Sequence, residues 1–158
     1  MAGFMLEYLS ETEGLGLRIA TAGTHTVDGQ PVSMRTRAAL RSVAEVADAP
    51  VGRHRSHQLA DADLDRADLV VAMEADHVRY VRRTHPAAAA RTATLRRLVR
   101  DLGPGPRPLP DRLADLGLAD VELGGWEDVA DPAGGADEVY VACARELWVL
   151  TGALVERL

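Results

Sequence analysis

Asp68-Leu69-Val70-Val71-Ala72-Met73 is the stretch on which the fold turns. Five apolar residues in a row, after one Asp, are too few for a buried helix. They match a strand covered on both faces of a parallel sheet. On its C-terminal side, spacing predicts a helix from about Ala75 to Thr84, stopped by Pro86. A weaker strand follows at Thr92–Leu95 and leads into a helical segment, Arg96–Leu102. On its N-terminal side, Asp61–Ala67 reads as one or two helical turns.

Further out, Met1–Glu13 carries Phe4, Met5, Tyr8 and Leu9 at helical spacing, without a capping residue, and Gly14 and Gly16 end it. Leu17-Arg18-Ile19-Ala20-Thr21-Ala22 reads as a second short strand, stopping at Gly23-Thr24. Thr24–Ser33 is a polar loop with Asp28-Gly29 and Pro31 as turn residues. Helical spacing resumes over Met34–Val46, and Arg53–Gln58 is expected to cross the surface. After the Gly103–Pro108 turn, Leu109–Leu118 predicts a short helix. Ala136–Leu158 predicts a long one with Val139, Cys143, Leu147, Leu150 and Leu154 on one face. Helices alternating with short buried strands imply an α/β sheet with helices on both faces. Such a sheet places its site beyond the C-terminal ends of its strands, here the loops after Ala22 and Met73.

At 158 residues the chain suits one domain, and 47% hydrophobic with 27% charged residues is the balance of a soluble globular protein. The formal charge of −6 argues against nucleic acid or an anionic membrane as the main partner. All 18 basic residues are Arg, but they are scattered. Cys143 is the only cysteine, which excludes a disulfide framework and a cysteine-based zinc site. His54-x-x-His57 is the nearest approach to a metal spacing, and no metal is expected. No run approaches the length of a membrane span and no basic leader precedes the first helix, so a cytoplasmic location is expected.

One loop carries chemistry. Trp126-Glu127-Asp128-Val129-Ala130-Asp131-Pro132-Ala133-Gly134-Gly135 holds three carboxylates ahead of the last helix. Pro132 stiffens the bend and biases Asp131 away from α conformation, which suits a positioned proton donor. A turn followed by a helix start would use the same residue types.

Taken in order, these motifs resemble the low-molecular-weight protein tyrosine phosphatase family over nearly the whole chain. Met1-Ala2 looks like the Met-Ala that follows the family's phosphate loop. Thr21-Ala22-Gly23-Thr24 with Gly29-Gln30-Pro31 is similar to its Ser-Ala-Gly-Thr strand end and Gly-x-Pro loop. His54-Arg55-Ser56-His57-Gln58-Leu59 is similar to its His-x-x-x-Gln-Leu stretch, and Asp68–Met73 with His77 to Asp-Leu-Val-Leu-Ala-Met with a downstream His. Asp128-Val129-Ala130-Asp131-Pro132 resembles Asp-Val-x-Asp-Pro. The resemblance implies a three-layer αβα fold on a small parallel sheet, with no cofactor. It implies hydrolysis of phosphate monoesters, on a phosphorylated protein or small ester, through a phosphocysteine.

By that resemblance Asp131 is the general acid, with Asp128 and Pro132 beside it, and His54 braces the phosphate loop. The reaction also requires a low-pKa thiolate, a cradle of backbone N–H groups and one Arg. The family supplies these in one Cys-x5-Arg loop, and none occurs in these 158 residues. Cys143 does not replace it: the sixth residue after it is Val149, and the thiol lies on the apolar face of the last helix. The expectation is a single phosphatase-like domain over 1–158 whose first strand is missing, shortened by a start assigned to an internal Met, and inactive as it stands. The alternative is a catalytically dead binding or regulatory module. A flavodoxin-like nucleotide binder is disfavoured by the lack of a Gly-rich phosphate loop. An incomplete sheet is also expected to invite self-association. Ala133-Gly134 and His25-Thr26-Val27 stand where phosphotyrosine-directed relatives carry ring-stacking aromatics, which weighs against that substrate.

Overall fold

The computed structural model describes all of residues 1–158, and the chain divides into two compact units. The first comprises Met1–Leu59 and Ala130–Val155; the second comprises Ala60–Val129 and Glu156–Leu158.

The second unit contains the sheet. Strand β1, Val70–Ala72, runs parallel to β2, Thr92–Thr94, in the register Val70↔Thr92, Val71↔Ala93 and Ala72↔Thr94. Parallel strands need a crossover, here helix α4, Ala75–Thr84, and the 3-10 turns of Pro86–Arg91. Helix α4 buries Ala75, Val78 and Val81, an i, i+3, i+6 face, and exposes Arg79 and Arg83, while Arg82 is partly buried and donates to Leu118 O at 2.6 Å. Thr94 closes β2 and caps the next helix, α5 (Leu95–Asp101): its hydroxyl accepts the Arg97 N–H at 3.2 Å. Short α3 (Asp61–Leu64) and α6 (Leu109–Ala114) complete this unit. Leu64, Ala93, Leu95, Leu98, Leu102, Leu113 and Leu118 are buried in it. The sequence placed α4 to the residue and both strands with ends one or two residues too generous; the run expected to be covered on both faces is only partly buried in β1, whereas the weaker β2 is buried throughout.

The first unit is helical. Helix α7, Asp137–Val155, packs against α1 (Ala2–Thr12) and α2 (Met34–Arg41). Cys143, Ala144, Leu147, Leu154 and Val155 face Met5, Leu6, Ala39 and Leu40 in a core without aromatic rings. Each buried Leu contributes about 1.5–3 kcal/mol relative to exposure. At the rim, Tyr8 and Trp148 lie 5.9 Å apart between α1 and α7. Val139, expected on the buried face, is 44% exposed, because it belongs to the first turn of α7. The Ser33 hydroxyl caps α2, accepting from the Thr36 N–H at 3.1 Å, and α2 ends at Arg41, not Val46.

The strand expected at Leu17–Ala22 does not form. The stretch lies outside any helix or sheet, largely exposed. Between the Leu17 N–H, held by the Ser10 hydroxyl at 2.9 Å, and Gly23, no backbone group is hydrogen-bonded. Pairing begins only at Gly23, bridged to Gln58. β propensity selects an extended backbone, but a ladder exists only where a neighbour supplies the other half of each bond. Leu17–Ala22 has no neighbour of that kind.

Candidate functional site

Asp131 lies in the first unit, exposed, on the bend that sequence predicted. Its Oδ1 accepts the Ala133 N–H at 3.0 Å, an Asx turn that fixes the carboxylate against its own backbone. Pro132 O then accepts the Gly135 N–H at 2.9 Å, with Gly134 at φ 79° in the position that a type II turn reserves for positive φ. A Cβ at Gly135 would stand 3.1 Å from that same Pro132 oxygen. Arg35, in the first turn of α2, ties the far side of the bend. Its Nη1 donates to the Gly135 carbonyl at 2.8 Å and its Nε lies 3.2 Å from Asp137 Oδ1.

His54, also in the first unit, stacks edge-on against Phe4 with ring centroids 5.6 Å apart. Both line an open groove of about 320 Å³, together with Met1, Ile19, Pro31 and Thr36. Asp131 and Pro132 do not line it. The structure therefore places His54 in a groove wall, not on the open surface that its polar neighbours implied. Cys143 is buried on α7; burial first, then the negative charges of Glu146 and Asp131, push its thiol above the ordinary range. Such a thiol stays protonated and unreactive at neutral pH, and no group of metal-ligating side chains is present.

Asp128 belongs to the second unit and does something the sequence did not announce. Its Oδ1 accepts the Ala75 N–H at 2.7 Å, capping α4, whose own N-cap residue, Glu74, makes no side-chain bond. The next residue, Val129, donates its N–H to Met73 O at 2.8 Å and is 3% exposed. The carboxyl-terminal end of β1 and the start of α4, flagged as a site loop by the sheet argument, are thus held by Asp128-Val129.

Glu127 was passed over in the sequence and proves the most constrained carboxylate in the molecule. It is 0% exposed, and Arg97 is 6% exposed. Arg97 Nε donates to Oε2 at 2.8 Å and Nη2 to Oε1 at 2.6 Å, a bidentate pair. Thr94 Oγ1 donates to Oε2 at 2.9 Å and the Gly124 N–H to Oε1 at 2.9 Å. Burial alone would raise the Glu127 carboxyl; the bonds from Arg97, Gly124 and Thr94 outweigh it and hold it below the ordinary carboxylate range. Trp126 roofs the pair, its ring 3.7 Å from the Arg100 guanidinium carbon and 5.3 Å from that of Arg97. The only hint in the sequence was a Glu flanked by Trp and Gly in an otherwise irregular stretch.

Among known proteins, the chain is 29% identical over 143 residues to a protein-arginine-phosphatase of Geobacillus stearothermophilus, covering 90% of this chain and 78% of the relative. A solved structure of an arginine phosphatase from that organism superimposes with a TM-score of 0.70 at 29% identity, over 98% of this chain and 83% of the other. The low molecular weight protein tyrosine phosphatase of T. tengcongensis gives a TM-score of 0.77 at 27% identity, over 99% and 88%. Residues 1–113 match the family described as low molecular weight phosphotyrosine protein phosphatase, which takes in the groove, His54 and both strands. On that match, over most of its length, the chain belongs to the low molecular weight phosphotyrosine protein phosphatase family.

Proposed function

We propose that Asp131 is the general acid of a phosphatase site, and that the 158 residues alone do not complete the reaction. The observation that carries this is the held state of Asp131. One oxygen is engaged by Ala133, the turn is fixed by Pro132 and Gly134, and the second oxygen carries no hydrogen bond. An acid so placed protonates a leaving oxygen or nitrogen and then activates the water of the second step. Neither a thiolate nor a Cys-x5-Arg cradle accompanies it in this sequence, and the raised Cys143 thiol offers no substitute.

The substrate proposed is a phosphorylated protein side chain that needs no ring stacking. Ala133-Gly134 and His25-Thr26-Val27 supply no Phe, Tyr or Trp ring, and the Geobacillus relative is named for phosphorylated arginine. Phosphoarginine is therefore favoured over phosphotyrosine.

The test is hydrolysis of p-nitrophenyl phosphate and phosphoarginine by the purified chain, where no turnover is expected. Turnover by the chain itself would refute its incompleteness. A chimera with an apolar strand and a Cys-x5-Arg loop placed ahead of Met1 should hydrolyse both, and Asp131→Asn should slow it about 10²–10⁴-fold. An unchanged rate in that variant would remove Asp131 from the mechanism.

A second role, as a catalytically silent binding module, draws support from the stretch Leu17–Ala22, whose unpaired backbone groups could take up a partner strand or a second copy. Sedimentation showing a strict monomer at every concentration would argue against self-association.

A further inference from the structure

The segment between α6 and α7 has no sheet ladder and only one 3-10 turn, Gly125–Glu127, before Asp131. An irregular segment cannot take its register from repeating backbone bonds, so something else must decide where each residue sits. Glu127 is the one residue of this segment whose side chain is fully buried and fully bonded. Its partners come from the end of β2 (Thr94), from α5 (Arg97) and from its own turn (Gly124). Arg97 adds a second grip on the same segment, donating to Glu122 O at 2.7 Å. The two residues that follow make the bonds that seat the loop on β1 and α4: Asp128 to Ala75 and Val129 to Met73.

We propose that Glu127 is the positioning residue of the acid loop. Its buried pairing with Arg97 and Thr94 sets the register in which Asp128 caps α4 and Val129 bonds Met73, and hence the point from which the chain departs for Asp131. The proposal rests on the assignment of Asp131 as the acid for its functional meaning, but not for its geometry. The physical ground is specificity, not strength. A buried ion pair can be replaced by well-packed apolar residues with little loss of stability, whereas an apolar pair does not dictate a single register to an irregular loop. Trp126, stacked over Arg97 and Arg100, keeps water from the pair without bonding the carboxylate.

Amide hydrogen exchange separates positioning from bulk stability. The proteins are the wild-type chain, Glu127→Gln, the double variant Arg97→Leu with Glu127→Leu, and Asp131→Asn. In the double variant the melting temperature should return close to wild type, while the amides of Ala75 and Val129 exchange at least about tenfold faster. Protection of those two amides at the wild-type level, in a double variant of wild-type melting temperature, would overturn the proposal. Should the double variant not fold, Glu127→Gln decides. Loss of protection at Ala75 and Val129 with Val81 and Leu98 unchanged supports positioning; loss at all four in proportion reduces Glu127 to a structural role. Asp131→Asn should leave every one of these amides as in wild type. A failure of the exchange experiment therefore sinks Glu127 alone, and a failure of the chimera's turnover experiment sinks Asp131 alone.

Discussion

The candidate acid is approached by two ties of opposite character. Upstream, in the second unit, Glu127 meets Arg97 out of solvent, with every carboxylate oxygen satisfied. Downstream, in the first unit, Arg35 meets Asp137 and the Gly135 carbonyl with side chains 53% and 77% exposed. The partners are chemically alike, a guanidinium and a carboxylate, yet their consequences differ because water competes for one pair and not for the other. A buried pair is costly to break, since removing one partner strands a charge; an exposed pair is rehydrated at once. Chain order alone would not have ranked them.

The largest effect expected is from Glu127→Ala, which leaves the buried Arg97 guanidinium with only the Glu122 carbonyl at 2.7 Å and a longer contact to Asp101 at 3.3 Å. A loss of about 3–5 kcal/mol is expected, read by urea unfolding. A change under about 1 kcal/mol would place the pair with the exposed ones. The same carboxyl supplies a pH signature. Its folded-state pKa lies below the unfolded one. Its stabilisation is therefore complete above the ordinary Glu value of about 4.3 and is lost as pH falls below that, through the depressed folded value. Glu127→Gln should flatten this acid limb of the stability curve, and an equally steep limb in the variant would assign it to other carboxylates such as Asp101, which Arg100 also holds below the usual range.

Asp128→Ala comes next. It removes the cap on Ala75 and should cost about 0.5–2 kcal/mol, with the Ala75 amide losing protection. The smallest effect is expected of Arg35→Ala, under about 1 kcal/mol. One molar salt should erase most of it, because the Debye length then falls to about 3 Å. Salt sensitivity in the Glu127 variants as well would dissolve the contrast between the two ties.

Much of the second unit was legible beforehand. The apolar run at Asp68–Met73 marked a strand, although Val70 and Val71 are only partly buried in it, Ala75–Thr84 carried the spacing of an amphipathic helix, and Pro86 marked its end. Leu17–Ala22, with the composition of a short strand, is not one. A parallel strand's own residues do not reveal whether a neighbour is present. For the site, Asp131 and its turn were readable, because Asp-Pro followed by Gly-Gly restricts φ locally whatever surrounds it. His54 was readable as a position but not as a groove wall, since Phe4, its stacking partner, is fifty residues away in the chain.

By itself, then, the sequence determined what local physics controls: the helical faces, the apolar strand and the bend at Asp131. Only the tertiary structure decided that Asp128 caps a helix that begins at Ala75, and that Glu127 has its charge taken up by Arg97 and Thr94, some thirty residues earlier. An isolated Glu is hydrated and interchangeable with its neighbours. Burial removes the water, and from then on the carboxylate is defined by the few donors within reach, which no pattern in the linear chain specifies.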